Sequence, residues 1–128
     1  MSVRIVQLGS ARSDDEGLRV GTVRHPPRGV PKSEYAARNF YDVWLPQLSP
    51  SAELMPMARQ ASTPAEFGKF MRQFKREMAS PDNSHLLDVL AALSRTTNFS
   101  VGCYCEDESR CHRSVLRALL AERGADIL

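Results

Sequence analysis

Two hydrophobic spacings run through the chain, and an element boundary is expected wherever one gives way to the other. Val3-Arg4-Ile5-Val6-Gln7-Leu8 is a short β-rich run closed by Gly9-Ser10, and it predicts a first strand. Leu18-Arg19-Val20-Gly21-Thr22-Val23 alternates with period two and predicts a second, after a solvated turn at Ser13–Gly17. Asn98 to Tyr104, polar at both borders, predicts a third. Ser33 predicts the cap of a helix running to about Leu45, with Ala36, Phe40, Val43 and Trp44 along one face and Pro46 as its stop. Ser49-Pro50 restarts a short helical turn around Leu54.

Thr63-Pro64-Ala65-Glu66 is a capping box with proline at the first helical position. Behind it Phe67, Phe70, Met71, Phe74 and Met78 fall at helical spacing, a stripe that predicts core packing and not a cofactor site. Ser80-Pro81-Asp82-Asn83 breaks that helix, and Ser84 is read as the cap of the next, which carries Leu86, Leu87, Val89, Leu90 and Leu93. A last helix is expected from Ser109 to Arg123, stopped by Gly124. Strands and helices in this order predict one α/β domain over residues 1–128, a small, largely parallel sheet with helices on both faces in three layers.

Composition narrows the class. With 128 residues, the chain buries a core without help from disulfides or metals. Seventeen basic and fifteen acidic side chains leave a net charge of +2, too little to argue for nucleic acid from charge alone. No window approaches the ~20 apolar residues of a membrane span, so no membrane partner is expected. The opening Met1-Ser2-Val3-Arg4-Ile5 lacks the apolar core of a secretory signal. The three cysteines, Cys103, Cys105 and Cys111, do not form a secreted disulfide pattern, which points to a reducing cytoplasm.

Chemistry-bearing residues gather in two places. Arg24-His25-Pro26-Pro27-Arg28-Gly29-Val30-Pro31-Lys32 follows the second strand as a proline-stiffened loop, which holds Arg24, Arg28 and Lys32 in limited directions. The other concentration is Cys103 to Arg113. On a helical wheel with Cys111 at zero, the apolar stripe of the last helix centres near 110° and His112 falls at about 100°, so the imidazole is expected to point inward. The space between a strand's carboxyl end and the next helix's start is where open α/β sheets bind ligands, and that helix start favours an anion. If the second and third strands are parallel neighbours, Arg24, Arg28, His112 and Arg113 converge.

Each residue also has a plainer role. His112 can donate to a strand carbonyl and hold the helix in place. Arg113 can pair with Glu106 or Glu108, and the loop cations can sit idle in solvent. Cys103, Cys105, Cys111 and His112 make a four-ligand zinc set by residue type, although the spacing matches no standard knuckle. Cys105 and Arg110 span a C-x4-R loop of the length used by rhodanese-type sulfurtransferases, but the carboxylates between them oppose a thiolate and an anion. The fingerprints of P-loop, dinucleotide, zincin and nucleophile-elbow sites are absent from the chain, and no cofactor is expected.

Pro27-Arg28-Gly29-Val30-x-Lys32, then Asp42-x-Trp44 with Leu48-Ser49-Pro50-Ser51, then Cys105-x-x-x-x-x-Cys111-His112-Arg113, resemble in order the segments of the family catalogued as domain of unknown function 488. The resemblance runs from about residue 18 onward. Pro26 stands where members often carry tryptophan, so a stacking role for that tryptophan does not transfer. The resemblance implies a small cytoplasmic α/β protein with Arg28, His112 and Arg113 in a shared site, and the family name attaches no reaction to it. The expected function is binding of an anionic, phosphate- or carboxylate-bearing small molecule, such as a nucleotide, or a nucleic-acid end. In it Arg24, Arg28, Lys32 and Arg113 clamp the anion and His112 donates to it or moves a proton. The alternatives are a cysteine-centred enzyme, redox or metal site using Cys105 and Cys111, and a non-catalytic interaction module.

Overall fold

The computed structural model describes residues 1–128. Strands β1 (Val3–Gln7), β2 (Leu18–Gly21), β3 (Val43–Trp44) and β4 (Phe99–Cys103) form one sheet in the order β1-β4-β2-β3, with every neighbour parallel. Helices α1 (Met55–Gln60), α2 (Pro64–Met78), α3 (Pro81–Leu93) and α4 (Arg113–Glu122) pack around it, the α/β fold expected from the order of elements. β4 lies in the interior of the sheet, Val101 opposite Ile5 on one side and Val20 on the other, and all its residues are buried. No helix is long and apolar enough to cross a membrane.

The main core forms on the sheet face that carries Val3, Val20, Phe99 and Val101. Phe67, Phe70, Phe74 and Met78 of α2 meet Leu87 and Leu90 of α3 and Leu116 and Leu120 of α4 there. The capping box of α2 is formed: Thr63 Oγ1 accepts the Glu66 N–H at 3.1 Å. Gly124, at φ 77°, ends α4 in the left-handed conformation that an L side chain resists.

Three elements differ from the sequence expectation. Residues 33–45 are not a helix; a 3-10 turn covers Lys32–Glu34, and Asn39 turns left-handed at φ 64°. The Asp42 N–H then donates to the Arg19 carbonyl at 2.8 Å, and Val43–Trp44 pairs with Val20–Gly21. Pairing with the exposed edge of β2 outweighs the helical spacing of Phe40, Val43 and Trp44. α3 starts at Pro81 with Ser80 before it, because proline suits a helix's first position, and Ser84 lies inside. α4 starts at Arg113, since Glu108–Arg110 is a 3-10 turn and Cys111 is extended.

The second sheet face is polar at its centre. Arg19, fully buried, meets Glu16 through two bonds, Nε to Oε2 at 2.7 Å and Nη2 to Oε1 at 2.9 Å. Its Nη1 donates to the carbonyls of Ser10 and Asn39, and Ser100 Oγ donates to Glu16 Oε2 at 2.7 Å. Glu16 is thus buried, although its neighbours in the turn are solvated. This network ties the segments around Ser10 and Asn39 to β2 and β4.

The chain leaves the two inner strands in opposite directions. From β4 it enters α4 and returns beside β1, where Ile127 bridges Val3; from β2 it crosses to β3. The carboxyl ends of β2 and β4 are therefore the switch point of the sheet, where a crevice opens.

Burial pushes the Glu16 carboxyl up, but hydrogen bonds from Arg19 and Ser100 and the Arg19 charge outweigh it and hold the group below its ordinary 4.5. A carboxyl lowered in this way stabilises the fold above its unfolded value and loses that contribution as pH falls through the folded value. Denaturant unfolding of wild-type protein is expected to weaken from about pH 5 downward, and Glu16→Gln to make that fall shallower. Glu16→Ala, which strands the buried Arg19 charge, is expected to cost about 3–5 kcal/mol at neutral pH; stability equal to wild type would contradict this account.

Candidate functional site

A cleft of about 700 Å³ opens at the switch point. One wall is the loop after β2, from Val23 to Arg28; the floor is the segment after β4, Cys103 to Cys105 with Cys111 and His112. Met55, Ala58 and Arg59 of α1 and Phe70 of α2 close the far side, and Phe40 comes from the segment before β3. Tyr104 Oη donates to the His25 carbonyl at 2.9 Å, tying floor to wall.

His112 is held at both nitrogens. It is 6% exposed, and its Nε2 lies 2.7 Å from the Thr22 carbonyl oxygen, which can only accept. Nε2 therefore carries a proton and donates it to that carbonyl. Nδ1 faces Cys111 Sγ at 3.7 Å. Phe74 meets the ring edge-on at 5.3 Å between centroids, so packing from α2 also restrains it. The inward direction expected of His112 is present, and so is the strand-carbonyl bond of its plainer role. The reason differs from the helical wheel: His112 is the residue before α4, not part of its first turn.

The three cysteines meet beside it. Cys103 Sγ lies 3.8 Å from Cys105 Sγ, although β4 ends at Cys103 and the two are not strand neighbours. Cys103 and Cys111 are buried, and Cys105 is exposed. Hydrogen bonds with Cys105 and then Cys111, with burial, push the Cys103 thiol far up. Cys111 is pulled far down, first by its contact with Cys103, then by Cys105 and His112, against burial. Cys105 is raised: its bond from Cys103 lowers it, but Cys111 and burial prevail. Cys111 is thus the most acidic of the three thiols. A shared proton between Cys111 and His112 Nδ1, or a bound cation, are the chemical uses open to this arrangement.

The cations fall into four groups. Arg28, Arg59 and Arg110 are exposed and line the cleft. Arg24 also lines it but straps the next loop, with Nε to the Pro50 carbonyl at 3.0 Å and Nη2 to those of Pro46 and Ser49. Lys32 is exposed on its 3-10 turn and is not part of the lining. Arg113, 3% exposed, lies behind the floor, where Nη2 donates to the Cys105 carbonyl at 2.6 Å and Nε has no partner. Glu108 pairs with Arg117 at 2.6 Å and not with Arg113. No Asp or Glu lines the cleft.

Sequence reasoning missed Arg59 and Thr22. Arg59 sits on a short helix far from both motifs and carries no local signal. Thr22 acts through its backbone carbonyl, a group that every residue type has, so only the parallel neighbouring of β2 and β4 reveals it.

A family model described as DUF488-N3a, active DUF488-N3 subclade, matches residues 3–124. No curated protein and no solved structure matches the chain.

Ring-nitrogen NMR of His112 in the reduced protein at neutral pH is expected to place the proton on Nε2. A ring protonated on Nδ1 alone would break the Thr22 bond and refute this account of the floor.

Proposed function

The chain belongs to the domain of unknown function 488 (DUF488) family, and on that premise we propose that its cleft binds an anionic, phosphate- or carboxylate-bearing ligand above the cysteine–histidine floor. The observation that carries the reading is the lining itself: Arg28, Arg59 and Arg110 with Arg24 behind, and no carboxylate among them. A cleft of one sign, walled by apolar groups, concentrates field and draws in a counter-charge. Guanidinium forks match the two oxygens of a carboxylate or phosphate. Phe40 and Tyr104, whose rings meet edge-on, and Pro26 and Pro27 give the same cleft apolar surface for a flat body. Its volume suits a ligand of nucleotide size, free or at a nucleic-acid end.

In this reading Arg28 and Arg110 hold the anion directly, while Arg113 contributes positive charge from beneath. Lys32 takes no part. His112 belongs to the cleft floor but turns its two ring nitrogens to Thr22 and Cys111, so its role toward the ligand runs through Cys111.

One observation favours a second reading, a cysteine-centred enzyme. Cys105 is exposed on the cleft floor, with Cys103, Cys111 and His112 Nδ1 behind it. A thiol so placed reaches a ligand held by the arginines.

Thermal unfolding in the presence of inorganic phosphate, pyrophosphate and a nucleoside monophosphate tests the anion reading. A saturating anion is expected to raise Tm by several degrees, following mass action. Arg28→Ala and Arg110→Ala are each expected to weaken binding about tenfold, roughly 1.4 kcal/mol, while Lys32→Ala leaves it unchanged. Equal shifts in wild type and both arginine variants would reject the clamp.

A further inference from the structure

Three metal-ligating donor atoms converge on the cleft floor, and a fourth lies beside them. Cys103 Sγ, Cys111 Sγ and a His112 ring nitrogen all lie within 4.8 Å of one another, and all three residues are buried. The nitrogen is Nδ1, because Nε2–H is committed to the Thr22 carbonyl at 2.7 Å. Metal-bound imidazoles are held in this way, the remote N–H donating to a carbonyl or carboxylate that fixes the ring. Cys105 Sγ supplies a fourth donor, 3.8 Å from Cys103 Sγ.

Two of the separations match those across a tetrahedral zinc shell. Two sulfurs bound to zinc at ~2.3 Å with tetrahedral angles stand about 3.8 Å apart. A sulfur and an imidazole nitrogen on the same ion stand about 3.6 Å apart, against 3.7 Å here between Cys111 Sγ and His112 Nδ1. A second, independent observation is the charge behind the floor. Arg113 is buried, forms no ion pair, and leaves its Nε without a partner. A buried guanidinium needs a counter-charge. Three thiolates on one divalent cation, with a neutral imidazole, carry a net negative charge and supply it.

We propose that Cys103, Cys111 and His112 bind a zinc ion through Sγ, Sγ and Nδ1, with Cys105 Sγ closing the tetrahedron on the cleft side. Binding releases the thiol protons to solvent and changes no oxidation state. A disulfide between any two cysteines would leave the third thiol and His112 Nδ1 without a role, whereas one zinc ion uses all four donors. The site does not depend on the anion reading, because the metal needs no ligand from the cleft to complete its shell.

The test is a titration of the full chain, reduced and stripped with chelator, with Co²⁺ and then Zn²⁺. One equivalent of cobalt is expected to give a thiolate-to-metal charge-transfer band with the intense visible absorption of a tetrahedral site, and one equivalent of zinc to abolish it. Cys103→Ser and Cys111→Ser are expected to weaken cobalt binding about a hundredfold or more. Cys105→Ser, at an exposed position where folding is not at risk, is expected to keep the metal with a weaker charge-transfer band. No band in wild type, a band unchanged by Cys105→Ser and Cys111→Ser, or a freshly isolated chain two hydrogens lighter than its reduced mass would each overturn the proposal. Phosphate-induced stabilisation is measured separately on the same protein, so loss of the cobalt band and loss of the anion shift are distinguishable failures.

Discussion

The contact between His112 Nε2 and the Thr22 carbonyl joins the start of α4 to the chain just past the carboxyl end of β2, and the cleft floor depends on it. β2 and β4 are already parallel neighbours, with the Thr22 N–H and hydroxyl both donating to the Gly102 carbonyl. His112 adds a link from the start of α4 to the end of β2. Without it the ring could turn either nitrogen to Cys111. With it, Nδ1 has one direction, and Cys111 Sγ lies 3.7 Å along it.

Two other constraints keep the link in place. The Glu16–Arg19 pair, with Ser100, fills the polar centre of the opposite sheet face and anchors Ser10 and Asn39 there. Close approach matters as well: a Cβ on Gly21 would stand 2.4 Å from the Tyr41 ring, and one on Gly102 would stand 2.6 Å from Leu8. These glycines sit at the ends of β2 and β4, so the backbone there is overlaid tightly on one face while the other opens into the cleft. Burial on the helical side comes from α2, whose Phe70 lines the cleft and whose Phe74 packs on His112.

The arginines divide by what they can still bind. Arg24 spends its guanidinium on three backbone carbonyls and so shapes the wall, whereas Arg28, Arg59 and Arg110 face solvent in the cleft. Arg113 neither lines the cleft nor pairs with an acid, which makes it a fixed positive charge behind the thiols. An anion above the floor and a negatively charged metal–thiolate centre within it are compatible because cations separate and flank the two.

The residue pattern by itself determined what depends on neighbours a few positions apart. Short β-rich runs marked β1 and β4, and a period-two run marked β2; the Thr63–Glu66 capping box marked α2; Gly124 marked the end of α4. The segments around Arg28 and around Cys105 to Arg113 stood out because proline stiffness and clustered thiols are local properties too. Tertiary structure decided the rest. Val43–Trp44 became a strand because β2 offered an unpaired edge, which helical spacing does not register. Glu16 became buried because Arg19 lay across the second face. Arg59, Thr22 and the separate fates of Arg24, Lys32 and Arg113 follow from which strand ends lie side by side and where each long side chain finds its nearest carbonyl, and such distances exist only once the sheet has closed.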